Sequence, residues 1–188
     1  DVVTVRCRKY GAPEVLLIER RYEPYEGQWA FPGGFVDLDE DLGTAARREL
    51  REETALQPVT IDQIGAWGTP DRDPRGRTVS AVYLAVTRLE ESEVTAGDDA
   101  AEAEWHSLDD MPSLAFDHDE ILPVVMQHLR RRCERTHLAF AFLPESFGEK
   151  ALRDVLECLD AFNPARNARS LLGAALLSPT DRKSTRLN

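Results

Sequence analysis

The stretch "GGFVDLDEDLGTAARRELREETAL", residues 33–56, joins paired glycines, an acidic loop and a segment of helical periodicity. Asp41 stands where an N-cap side chain accepts the first free amides, and Leu42, Ala46, Leu50 and Leu56 suit one buried stripe. The segment therefore predicts a helix from about Leu42 to Leu56, with Gly43 in the first turn, where weak helix propensity costs least. On that helix Glu49, Glu52 and Glu53 span an arc of about 100°, so their carboxylates share one patch. Like charges at these spacings cost about 0.2 to 0.5 kcal/mol per pair, which a bound divalent cation more than offsets. Oxygen-only ligands favour Mg²⁺ or Mn²⁺ over zinc. Taken alone, "REE" reads as a solvated acidic face, and "FPGG" at 31–34 as an ordinary turn. Side by side they point to a ligand, because paired glycines let backbone approach closely and offer a carbonyl to a metal or an amide to a phosphate.

Outward from this stretch, "DVVTVRC", "EVLLIER" and "QWAFP" read as strands before the helix, and "IDQIGAWGTP", "RTVSAVYLAV" and "EAEWHSL" as strands after it. "DHDEILPVVMQHLRRRCER" reads as a second amphipathic helix with Pro123 near its start. His118, in "FDHDE", reads as a helix-start cap in preference to a catalyst. Near residue 135 the composition changes. "SFGEKALRDVLECLDAF" predicts a helix, "NPARNARSLLGA" a turn and another helix, and "ALLSPT" the start of a strand, the order of a helix-turn-helix leading into a wing. The alternative for this tail is a helical cap that packs on the preceding domain.

Charge divides the same way. Residues 1–128 hold 12 Lys+Arg against 27 Asp+Glu, a net of −15, and residues 129–188 hold 11 against 7, a net of +4, so the two parts look built for different partners. No apolar run approaches the ~20 residues that span a bilayer, and no membrane association is expected. The start lacks a signal-peptide pattern and a Met, as a fragment or processed product would. Cys7, Cys133 and Cys158 are widely spaced with no CxxC pair, which argues against a disulfide framework or zinc site and fits a reducing cytoplasm.

The spacing Gly34, five residues, Glu40, seven residues, Arg48, Glu49, Leu50, one residue, Glu52, Glu53, one residue, Ala55, Leu56 resembles the signature box of the Nudix hydrolases, with Ala55 in place of the usual glycine. That resemblance implies an α+β fold, a Nudix α/β/α sandwich with a mixed sheet over residues 1–135. It implies that Glu49, Glu52 and Glu53 bind Mg²⁺ or Mn²⁺ together with a carbonyl around Gly33, that Arg48 and Glu40 orient the carboxylates, and that Gly34 lies against the substrate. The general base is left between Glu53, Glu102 and Glu104. "DRDPRGRTVSAVYLAV", "GDDAAEAEWHSLDDMP" and "LAFDHDEIL" resemble the ADP-ribose pyrophosphatase-like branch, which includes Nudix-related transcriptional regulators of NAD metabolism in bacteria. Arg72, Arg75 and Arg77, on the loop before a central strand, are chemically suited to a diphosphate.

In those regulators a winged helix follows the Nudix domain, and residues 136–180 resemble it in truncated form. Arg166, Asn167, Arg169 and Ser170 would then meet double-stranded DNA. Residues 181–188 read as a non-native tail. Two functions follow from the resemblance: a metal-dependent hydrolase of ADP-ribose or a related nucleotide sugar, or an ADP-ribose-sensing repressor of NAD genes. Either implies a homodimer.

Overall fold

The computed structural model describes residues 1–8, 12–88, 93–97 and 100–161. Its strands are β1 (Val2–Arg6), β2 (Glu14–Arg20), β3 (Trp29–Ala30), β4 (Thr60–Trp67), β5 (Ser80–Val86) and β6 (Ala100–Ser107). Its helices are α1 (Leu42–Thr54), α2 (His118–Arg135) and α3 (Glu149–Ala161), with a 3-10 turn at Leu138–Phe142. The sheet runs β3-β2-β1-β5-β4, and β6 pairs with β2 on its other edge. β1 and β5 are parallel, with Val5 opposite Val86, while the neighbouring pairs are antiparallel. The expected mixed-sheet Nudix architecture is therefore present.

Alternation along the strands sorts the core into two layers. Val3 and Val5 of β1, Leu17 of β2 and Leu84 and Val86 of β5 pack with Ile121, Val125, Met126 and Leu129 of α2. Their neighbours Val2, Leu16, Tyr83 and Ala85 point the other way, onto Ala46, Leu50 and Leu56 beside α1. A period of two in the strands and of 3.6 in the helices makes both layers from one sequence. Burying a leucine such as Leu50, fully inaccessible here, contributes about 2 kcal/mol.

α1 is capped as its sequence predicts. Asp41 Oδ1 accepts from the Gly43 and Thr44 amides at 2.9 Å each. At the other end Ala55 takes the left-handed conformation, φ 60°, and its N–H donates to the Arg51 carbonyl. A glycine adopts that conformation freely, whereas alanine carries a strain of roughly 1 kcal/mol. The turn thus survives the departure from the box. Leu42 departs from the expected stripe: the first helical residue is 45% exposed and lines a cleft.

Past residue 135 apolar packing continues. Leu138, Phe142 and Leu143 around the 3-10 turn, and Leu152, Val155, Leu156 and Cys158 of α3, belong to the same apolar cluster as the α2 face of the sheet. Arg88 Nε also donates to the Leu143 carbonyl at 2.8 Å. Residues 162–188, with Arg166, Asn167, Arg169, Ser170 and the supposed non-native tail, lie outside the described residues. Among the described residues no helix is long and apolar enough to cross a membrane.

Candidate active site

α1 and the glycine loop ahead of it form one wall of a cleft of about 610 Å³. Gly33 and Gly34 place backbone against the carboxylates. The Gly33 amide donates to Glu53 Oε2 at 2.7 Å, and a Cβ on Gly34 would fall within 2.6 Å of Glu49 Oε2. A larger residue at Gly34 would displace the Glu49 carboxylate from this position. Glu53 is 8% exposed, an unusual place for a carboxylate unless it is bonded or has work to do.

Arg48 gathers the remaining charges. Its guanidinium donates to Glu40 through Nη2 and through Nε, at 3.1 Å for the latter. Nη1 reaches Glu49 Oε1 at 2.8 Å and Glu52 Oε2 at 3.0 Å, and Nη2 also bonds the Phe35 carbonyl at 3.1 Å. The hydrogen bonds from Arg48 hold the Glu40 carboxyl below its ordinary pKa, and Glu40 in turn is the main influence raising that of Arg48. One cation spread over three acids thus offsets the like-charge repulsion along the helix.

The three helix carboxylates are placed differently. Glu49 and Glu53 line the cleft, but Glu52 does not, and its side chain is 53% exposed. Among the described residues no three acidic, histidine or cysteine side chains converge on a metal-holding point. An arc of 100° puts three carboxylates on one patch without aiming them at one point, and Arg48 draws Glu52 along the helix surface. Glu49, Glu53 and the adjoining Gly33 peptide remain a hard-oxygen donor set that fits a Mg²⁺-class ion.

The loop arginines separate. Arg72 lines the cleft, yet its side chain is 5% exposed and its guanidinium grips Asp117 at 2.6 and 2.8 Å. This buried pair pins the loop to the start of α2. Arg75 also lines the cleft and is clamped by Asp73 at 2.7 to 3.1 Å. Arg77 lies outside the cleft lining and donates to the Thr78 carbonyl. The cleft does contain Arg20, at the end of β2, which donates to the Pro24 carbonyl at 2.7 Å and lies over Phe116. Its only sequence signal was a charged residue closing an apolar strand. Glu102 and Glu104 are exposed on β6 and do not line the cleft, and hydrogen bonding between them raises the Glu102 pKa.

His118 does not cap α2. It is the first helical residue, 2% exposed, and its Nδ1 accepts from the Phe31 amide at 3.1 Å while the ring stacks on Phe31. Burial, then nearby positive charge, pushes its pKa down to about 3. A folded pKa below the unfolded 6.5 means that the unfolded chain binds the extra proton, so this contribution is present above about pH 6.5 and is lost as pH falls toward 3. Unfolding free energies of the wild type from urea titrations are expected to fall through that window by up to about 1.4 kcal/mol per pH unit more than those of His118→Asn. Parallel pH profiles of the two proteins would remove His118 as the cause.

The family model of the NUDIX domain matches residues 1–128. The chain belongs to the Nudix family. Its Nudix domain is 43% identical over 114 residues to the ADP-ribose pyrophosphatase of Methanocaldococcus jannaschii, an alignment covering 61% of this chain and 66% of that protein, just under two thirds of its length. A longer likeness, 30% over 177 residues, joins it to the ADPR responsive transcriptional repressor NtrR of Acinetobacter baylyi, covering 91% of this chain and 70% of the repressor. Among solved structures, that of Shewanella oneidensis NrtR complexed with a 27mer DNA superposes with a TM-score of 0.79 at 27% identity, covering 94% of this chain and 80% of that one.

Proposed function

We propose that this Nudix protein is a divalent-metal-dependent pyrophosphohydrolase that cleaves the diphosphate of ADP-ribose or a related nucleoside diphosphate derivative. The observation that carries the reading is the contact of Gly33 with Glu53 and of Gly34 with Glu49, which sets two carboxylates in the wall of a cleft that also holds Arg20 and Arg75. Glu49, Glu53 and the Gly33 carbonyl would hold Mg²⁺ or Mn²⁺. The ion when bound neutralises phosphate oxygens and lowers the pKa of an attached water. Arg48 and Glu40 keep Glu49 in place, an outer-shell role. Of the three candidate bases only Glu53 lines the cleft, so the reading gives it the proton of the attacking water. Arg20 supplies positive charge for the phosphates. Water adds to one phosphorus, the bridging P–O bond breaks, and AMP and ribose 5-phosphate leave from ADP-ribose. A cytoplasmic homodimer belongs to this reading through the family resemblance. The test is AMP release from ADP-ribose with and without Mg²⁺.

A second reading, an ADP-ribose-sensing repressor, is favoured by the likeness to DNA-complexed NrtR over nearly the whole chain. It assigns DNA contacts to Arg166, Asn167, Arg169 and Ser170. Arg166→Ala with Arg169→Ala is then expected to weaken operator binding and to lower the salt slope by about one for each phosphate left without its arginine. A mobility shift indifferent to both changes would count against this reading.

A further inference from the structure

We infer that Phe35, backed by Arg75, is the stacking platform for the nucleobase of the substrate. The inference rests on the nucleotide reading above and adds a residue that fixes which part of the substrate is recognised. Phe35 is 68% exposed at the cleft, a large apolar ring held out in water. It is held there by structure, since the Phe35 carbonyl accepts from Arg48, and Arg75 sits with its Cζ 5.3 Å from the ring centroid.

Behind it the cleft wall is layered. The same Arg75 carbon lies 5.7 Å from the Phe116 ring, Arg20 covers Phe116 at 4.9 Å, and Tyr25 meets Phe116 edge-on at 4.7 Å. Phe116 and Tyr25 both adopt left-handed backbone, φ 58° and 66°. Bulky residues rarely occupy that region, and strain kept at a cleft marks a wall that the surrounding structure holds in shape.

Arg75 changes role in this geometry. Its charge is met by Asp73, bidentate and close, so what it offers the cleft is chiefly a flat, immobilised guanidinium. Flat cations and phenyl rings stack on planar π-systems and have little to gain from a ribose. Position agrees with chemistry. Phe35 follows Gly33 and Gly34, which touch Glu53 and Glu49, and consecutive Cα atoms lie about 3.8 Å apart. A diphosphate at the carboxylates therefore brings one of its two substituents to this ring.

Base stacking on an aromatic side chain is worth about 1 to 3 kcal/mol, a 5- to 150-fold preference. Calorimetric titration of AMP and of ribose 5-phosphate into wild type, Phe35→Ala and Phe35→Trp tests this without relying on turnover. The expected result is tighter binding of AMP in the wild type by a factor in that range, collapse of the preference to within about threefold in Phe35→Ala, and its retention in Phe35→Trp. Matching circular dichroism and melting of the variants checks that they fold. A preference that survives Phe35→Ala, or the absence of one in the wild type, overturns the inference. Loss of the preference in a protein that never hydrolyses ADP-ribose would leave the platform standing and remove the hydrolase reading. Hydrolysis with the preference intact in Phe35→Ala would do the reverse.

Discussion

Glu49→Gln is expected to lower metal-dependent release of AMP from ADP-ribose by about a thousandfold or more while the protein keeps its fold. A carboxylate that holds a cation at the phosphates contributes several kcal/mol of transition-state charge stabilisation, and each 1.4 kcal/mol is tenfold in rate. Glutamine keeps the shape and one oxygen for Arg48 Nη1, now 2.8 Å from Glu49 Oε1, so the helix loses little. Removing one of three neighbouring negative charges relieves repulsion of about 0.2 to 0.5 kcal/mol per pair, and the melting temperature should stay level or rise slightly. Initial rates across a Mg²⁺ series, with the fold checked by circular dichroism, decide the matter. Turnover within tenfold of the wild type would remove Glu49 from the ligand set and leave Glu53 and the Gly33 peptide insufficient to explain catalysis.

The second large effect lies outside the signature box. Residues 94–97 form a strap across the C-terminal end of α1: the Thr95 amide donates to the Thr54 carbonyl at 3.0 Å and the Gly97 amide to the Glu53 carbonyl at 2.9 Å. These bonds satisfy carbonyls that a helix end otherwise leaves without an intrahelical donor. A Cβ on Gly97 would collide with the Glu52 carbonyl oxygen and lie 3.0 Å from the Glu53 Cα. Unlike a side-chain tip, a helix backbone cannot swing aside. Gly97→Ala must therefore lift the strap and break both bonds, at about 1 kcal/mol each or more where a buried carbonyl is left unpaired. A loss of about 2 to 3 kcal/mol lowers the melting temperature by roughly 5 to 10 °C in a chain of this size. Hydrolysis should fall as well, because the strap grips the residue that carries a cleft carboxylate. A melting temperature within about 1 °C of wild type would show that the strap yields without cost.

Much of this site was legible before the fold was known, and the parts that were not share a cause. Asp41 as cap, the α1 span and the closeness of glycines to carboxylates follow from local rules, since caps, periodicity and chain adjacency act over a few residues. The roles of Arg72, Arg75 and Arg77 do not. Three similar arginines within six residues have three different fates because Asp117 comes from the start of α2, Asp73 from the same loop, and Arg77 lies outside the cleft lining. Side-chain charge is visible in a sequence, but its neutralisation by a residue 45 positions away is not. Arg20 and Gly97 went unread, and His118 was read as a cap, for the same reason: each acts on an element remote in sequence.

By itself, then, the sequence determined the element order, the two-faced strands, the carboxylate helix and the family, because periodicity and fixed spacing are local properties of the chain. Only the tertiary structure decided which carboxylates face the cleft, which arginines line it, that residues 138–158 share the core of the sheet, and that an exposed phenylalanine stands beside the glycine loop. Those outcomes turn on contacts between elements, where burial and pairing with distant charges outweigh what any residue type prefers alone.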